Sequence, residues 1–119
     1  MIQIGVTSVS SQLRSTRRAL RERLESQRID ERHVDAVEAV ANELLAAAFE
    51  ADASDALTLT VETFALLTSV RLMCSRNIEL RDEPFGVRER VLEGLAFAWG
   101  KRRYGDGSVD LWAEVARNA

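Results

Sequence analysis

The stretch from Glu31 to Glu50 constrains the fold more than any other part of the sequence. Its apolar residues recur at the three- and four-residue spacing of one helix face. Asp30, directly before it, can accept backbone N–H groups of the first turn. The many alanines allow close packing against a sheet. We therefore predict a long amphipathic helix, whose buried stripe is formed by Val34, Val37, Ala41, Leu44, Leu45 and Ala48.

Alternating stretches on both sides of this helix predict the strands of a sheet. Apolar residues occupy every second position over 2–6, 57–62, 70–75 and 109–115, which is the period of a strand with one buried face. The second and third of these runs form an antiparallel hairpin if they pair directly. In the last run, Trp112 lies on the face opposite to the apolar set.

Two further helices are predicted from the same kind of spacing. Leucines form an apolar stripe in an arginine-rich segment that ends near Gln27. The segment Val87–Trp99 has a similar stripe, and Gly100 is suited to its C-cap. The run Tyr104–Gly107 has the composition of a turn.

Together these elements predict an α+β two-layer sandwich. One face of a mostly antiparallel sheet is covered by about three helices, because the predicted helices and strands segregate along the chain. The chain has 119 residues, one proline and no Ser/Gly-rich linker. We therefore predict a single domain over residues 1–119.

Composition excludes several classes of function. The net charge of −3 gives no general attraction to nucleic acid, and no apolar run is long enough to span a bilayer. The only cysteine, Cys74, lies in an apolar alternation, which predicts a buried thiol in a reducing cytoplasm. The only histidine, His33, falls in a helix first turn, where we expect it to be exposed. One histidine and one cysteine predict no metal site.

Several segments together resemble one family. The stretches Ser10–Arg18, Asp30–Ala51, Val91–Gly100 and Ser108–Val115 resemble, in order and spacing, four elements of the small anti-sigma-factor kinases of the histidine-kinase-like ATPase superfamily. These single-domain proteins are common in actinobacteria. The resemblance implies the histidine-kinase-like ATPase fold, ATP with Mg²⁺ as cofactor, and a sigma factor or its regulator as partner.

The resemblance assigns a catalytic position to the long helix. The family carries a Glu that acts as base and an Asn four residues later that holds Mg²⁺, and residues at that spacing share a helix face. Glu43 aligns with the Glu, whereas the Asn position falls on Ala47, which cannot bind a cation. Asn42 precedes Glu43 by one residue and therefore points to another face. Glu43 is then either a base or a vestige on a solvated helix.

The family's nucleotide-binding glycines are largely missing. The stretch Ser75–Glu79 stands where the family has Asp-x-Gly-x-Gly, and it contains neither glycine. Asn77 could contact a base edge, although a loop Asn is more often part of a turn. The family's Gly-x-Gly-Leu phosphate loop retains only Gly86, since Arg88 occupies the second glycine position. Asn77 and Gly86 are thus cofactor-binding candidates only if a nucleotide binds.

Other residues are candidates for partner binding. Arg14, Arg17 and Arg21 on the first helix could attract an acidic partner, or they could simply form a solvated face. Trp112 could be an anchor in an interface or part of the core.

We interpret the chain as a regulatory protein-binding module that resembles an anti-sigma factor, has no cofactor, and is cytoplasmic and capable of forming a homodimer. The first alternative is an active ATP-dependent serine kinase that uses Glu43. The second is a nucleic-acid-binding regulator that uses the arginine-rich helix, which the acidic net charge disfavours.

Overall fold

The computed structural model describes residues 1–6, 12–50, 57–74 and 86–117, except for the side chains of Gln12 and Val87. The described elements follow the order β-α-α-β-β-α-β-β, with a short 3₁₀ turn before the third helix. Their bounds are β1 Ile2–Val6, α1 Gln12–Ser26, α2 Glu31–Glu50, β2 Leu57–Thr63, β3 Leu67–Cys74, a 3₁₀ turn Gly86–Arg88, α3 Glu89–Leu95, β4 Ala98–Arg103 and β5 Val109–Ala116.

The five strands form one antiparallel sheet in the order β1-β2-β3-β5-β4. The β2–β3 hairpin predicted from the alternation is present, with Leu57 opposite Cys74 and Thr63 opposite Thr68. Helix α2 packs on β3 and β5, α1 on β1 and α2, and α3 on α2. The α+β two-layer sandwich with a mostly antiparallel sheet is therefore confirmed.

The core lies between the sheet and the helices. Every second residue of β2, β3 and β5 points into it, because strand side chains alternate between the two faces. The predicted stripe of α2 is buried against them. Fully buried side chains from both layers include Leu20, Leu24, Val34, Val37, Leu44, Leu45, Leu59, Leu72 and Leu111.

The third helix differs from its prediction. It ends at Leu95 instead of Trp99, and Gly100 lies in β4 and not at a helix C-cap. The chain leaves the helix at Ala96 with an extended backbone, and Phe97 donates its N–H to the carbonyl of Glu114 on β5. Pairing with β5 thus overrides the helical spacing of the apolar residues in this segment.

The opposite face of the sheet is not covered by any described helix. Even-numbered residues of β2 and β5 and odd-numbered residues of β3 point to it. We call this the outer face. Half-buried side chains on it include Thr60, Glu62, Ser69, Arg71, Met73, Trp112 and Glu114.

Candidate functional site

Glu43 is engaged by an arginine. It lies on α2 with its side chain only 14% exposed, and its Oε2 accepts a hydrogen bond of 3.2 Å from Nη1 of Arg88. The other terminal nitrogen of Arg88 pairs with Glu50, about two helical turns further along α2. Arg88 therefore bridges two carboxylates of α2. We call this group of three side chains the Arg88 clasp.

The clasp is placed by the turn before α3. Gly86 begins this turn with φ of 51°, in the left-handed region that favours glycine. A Cβ at this position would meet no atom within 4 Å, so the constraint is the backbone angle and not space. The hydrogen bonds to Glu50 and Glu43 raise the pKa of Arg88, because the carboxylates favour the charged guanidinium.

The position assigned to the metal-binding Asn offers no ligand. Ala47 is 2% exposed and packs in the core. Asn42 is not one helical turn from Glu43, but both residues line a cavity of about 350 Å³, together with Arg17 and Arg21. Glu43 is thus the only residue with a carboxylate or amide oxygen at the two positions that the resemblance assigns to catalysis and metal binding.

These residues do not fit Mg²⁺ and ATP. A general base needs a carboxylate free to accept a proton, whereas Glu43 is held by a guanidinium. A phosphate loop needs backbone N–H groups that phosphate can approach closely, whereas Arg88 places a long side chain there. Asn77, the remaining nucleotide-binding candidate, lies outside the described residues. Within the described part of the chain, no three His, Cys, Asp or Glu side chains gather as metal ligands.

The three arginine candidates of α1 have different surroundings. Arg21 pairs with Asp35, with Glu38 at 2.6 Å and with Glu25 at 3.3 Å. Its pKa is raised above the usual range by the hydrogen bonds to Asp35 and Glu38. Arg21 therefore joins α1 to α2, and its charge is already compensated within the chain.

Arg14 and Arg17 differ from Arg21. Arg14 is exposed, and Arg17 is half-buried on the cavity that Asn42 also lines. The Nε of Arg17 is buried and has no hydrogen-bond partner. Of the three candidates, Arg14 is the most accessible to an acidic partner.

Trp112 lies on the outer face, as its position in the alternation predicts. Its indole covers Gly100 on β4, where an added Cβ would come within 3.1 Å of the ring. The glycine therefore allows the tryptophan to lie close to the backbone of the neighbouring strand. Trp112 is half-buried, so part of the ring remains accessible on this face.

A polar network beside Trp112 was not predicted. Asp110 is 1% exposed, and its Oδ2 accepts hydrogen bonds from Arg71 Nε at 3.0 Å and Tyr104 Oη at 3.2 Å. Arg71 Nη2 also lies 2.9 Å from the same oxygen. The pKa of Arg71 is raised by the hydrogen bond to Asp110. The signal in the sequence is an arginine in one apolar strand and an aspartate in another. Only the pairing of β3 with β5 makes Arg71 and Asp110 diagonal neighbours.

The expectation that His33 is exposed is wrong. Its side chain is 8% exposed, and its Nε2 lies 2.6 Å from the Thr68 hydroxyl, which is itself buried. The pKa of His33 is lowered, first by burial and then by the positive charge of Arg117. The prediction failed because Thr68 comes from β3, 35 residues away along the chain.

Cys74 is buried, as predicted. Burial, together with the negative charge of Asp110, raises the pKa of its thiol to about 12. A thiol of this kind is a packing group rather than a nucleophile.

None of the helices in the described ranges combines the length and the apolar character needed to cross a bilayer. No protein-family model matches the sequence, and a search of curated proteins gives no significant match.

Proposed function

We propose that this chain is a cytoplasmic regulatory module that binds another protein, resembles an anti-sigma factor in its architecture and does not use a nucleotide. The observation that carries the proposal is the Arg88 clasp. It places a guanidinium against Glu43, at the position where the resembling family brings phosphate to its base. Ala47 supports the same interpretation, since it cannot hold a cation.

The α+β two-layer sandwich is compatible with this resemblance. It is a fold-level analogy, which by itself does not carry a function. The proposal therefore depends on the particular residues at the site. An anti-sigma-like module without a nucleotide acts by binding its partner, which is a sigma factor or a protein that regulates one.

A nucleotide titration tests the first half of the proposal. A site with a Kd of about 10 µM would, at about 1 mM ATP with Mg²⁺, stabilise the fold by about 2.7 kcal/mol. For a domain of this size that gain raises Tm by roughly 10 °C. We expect no saturable rise with ATP or ADP. A saturable rise of several degrees would show that the site is functional.

The kinase alternative makes a separate prediction. It requires transfer of phosphate from ATP to a partner protein, with loss of transfer in Glu43→Gln. Our proposal predicts no transfer from either the unchanged chain or this variant. Arg90→Gln, an exposed substitution on α3, is the matched control for a change beside the clasp.

Co-purification from the native cell followed by mass spectrometry tests the second half of the proposal. We expect a sigma factor or one of its regulators among the proteins that are retained at stoichiometric amount. Analytical ultracentrifugation of the isolated chain shows whether a homodimer competes with that partner. Retention of nucleic acid that disappears steeply with salt would instead favour the arginine-rich helix as a nucleic-acid surface.

A further inference from the structure

The tip of the β2–β3 hairpin has an unusual composition. Hairpin turns are dominated by Gly, Asn, Asp and Ser, which tolerate the turn geometry and are solvated easily. This turn is Phe64-Ala65-Leu66-Leu67, four apolar residues in succession. Phe64 is 48% exposed and Leu66 is 79% exposed. We call these four residues the hairpin patch.

The patch is held in a fixed conformation. Phe64 donates its N–H to the carbonyl of Leu67 at 2.8 Å. Arg117, after β5, donates its backbone N–H to the carbonyl of Leu66 at 2.8 Å and its side chain to that of Phe64 at 2.9 Å. A preformed apolar surface loses little conformational entropy when a ligand covers it.

The apolar surface continues onto the outer face. The patch lines a shallow cavity of about 460 Å³ together with Ser69 and Glu114. Phe64 also lines a second cavity of about 550 Å³, which extends across the outer face past Met1 and Glu62. Met1 is itself 75% exposed. With roughly 200 Å² for each fully exposed large side chain, Met1, Phe64 and Leu66 offer about 400 Å² of apolar surface.

The size of this exposed apolar surface indicates what kind of partner can bind there. It falls within the range of about 300–600 Å² for the largest apolar patch on a monomer, which is often functional. It is about half of the roughly 800 Å² per partner in a standard protein–protein interface. The patch therefore suits one docked segment better than a stable dimer of this chain.

Two carboxylates border the patch on the outer face. Glu62 and Glu114 are both register partners of Ser69, from β2 and β5 respectively, and lie about 10 Å apart across the sheet. Both are half-buried, and neither has an ion-pair partner among the described residues. Arg71, the next outward-facing residue on β3, is already paired with Asp110.

We propose that the hairpin patch, with Glu62 and Glu114, is the docking surface for an apolar segment of another protein that carries Lys or Arg beside its apolar residues. The patch supplies the buried area. The carboxylates select a basic flank and disfavour an acidic one. This inference rests on the proposed function as a protein-binding module and assigns the place of contact and the chemistry of the partner.

Two synthetic helical peptides test the proposal with the full chain. Both carry the same leucine stripe, flanked by lysines in one and by glutamates in the other, and binding is followed by fluorescence anisotropy. We expect the lysine peptide to bind at least about tenfold more tightly than the glutamate peptide. Failure of the lysine peptide to bind at millimolar concentration would overturn the proposal, as would equal affinity of the two peptides.

Three variants locate the contact. Leu66→Ser removes an exposed side chain and should weaken the lysine peptide by about tenfold or more. Val91→Ser, at another exposed apolar residue, should leave the affinity unchanged. Glu62→Gln with Glu114→Gln should abolish the preference for the lysine peptide. Unchanged affinity in Leu66→Ser, or an unchanged preference in the double variant, would contradict the assignment.

Two other occupants are tested directly. A dimer in analytical ultracentrifugation that dissociates on Leu66→Ser would assign the patch to a second copy of this chain. Co-sedimentation with anionic phospholipid vesicles that is lost in Leu66→Ser would assign it to a membrane. Either result overturns the proposal. The nucleotide titration measures binding at Glu43 and Arg88, on the helix side of the sheet. The proposed function and the docking surface on the outer face can therefore fail separately.

Discussion

The buried carboxylate of Asp110 allows one quantitative prediction. Arg71→Met removes the guanidinium contacts to Oδ2 and leaves the Tyr104 hydroxyl as its remaining donor. The other oxygen, Oδ1, is buried and already lacks a partner. Removing one partner of a fully buried ion pair costs about 3–5 kcal/mol, because the other charge is left uncompensated. Since the Arg71 side chain is 43% exposed, water can replace part of the contact, and we expect about 2–3 kcal/mol.

Urea unfolding followed by far-ultraviolet circular dichroism measures this loss. A double-mutant cycle with Asp110→Asn separates the pair from the effects of each side chain alone. We expect the double variant to be more stable than the sum of the single changes predicts, by about 1–2 kcal/mol. Arg18→Met, at an exposed position on α1, is the matched control and should stay within about 0.5 kcal/mol of the unchanged protein. A loss below about 1 kcal/mol for Arg71→Met, or additive single changes, would refute the reasoning.

Three further predictions concern other buried groups. Because His33 has a lowered pKa when folded, the unfolded chain binds more protons below about pH 6.5. The free energy of unfolding should therefore rise with pH up to about 6.5, by no more than about 1.4 kcal/mol per pH unit, and level off above it. Urea midpoints that do not change with pH, or the same slope in His33→Gln, would contradict this. Cys74, with a thiol pKa of about 12, should react with a disulfide reagent at pH 8 far more slowly than the unfolded chain does, and equal rates would contradict its burial. Gly100→Ala should displace the Trp112 indole and shift its fluorescence emission. We expect this change to destabilise the fold by about 1 kcal/mol. An unchanged spectrum would show that the position of the ring does not depend on this glycine.

The two periodicities of the sequence predict most of the fold. Only a strand gives one buried face to the alternating residues of β1, β2 and β5, and only a helix does so for the spacing in α2. These elements therefore lie where the pattern places them. The pattern over residues 95–100 fits both a helix and a strand. Leu95 and Trp99 share a helix face, and Trp99 and Gly100 also alternate as strand residues, so only the contact with β5 decides.

The candidate site was less predictable, for a related reason. Arg88 stands where the resembling family has a glycine, but the sequence cannot show where its side chain lies. Its two partners on α2 are 45 and 38 residues away along the chain. The same limit applies to Arg71 and Asp110, which become diagonal neighbours only through the pairing of β3 with β5. Local patterns give the side of an element on which a charge lies, whereas its partner is set by tertiary packing.

The Arg88 clasp also bears on how such a module could be controlled. A protein whose α2–α3 junction needed a nucleotide would change its population of binding-competent molecules with nucleotide concentration. In this chain, ion pairs from Arg88 to Glu43 and to Glu50 bridge α2 and the turn before α3. On the proposed function, partner binding should then be the same with and without ATP. The same proposal predicts that partners compete for one surface, and the exposed hairpin patch is the surface that we propose for that competition.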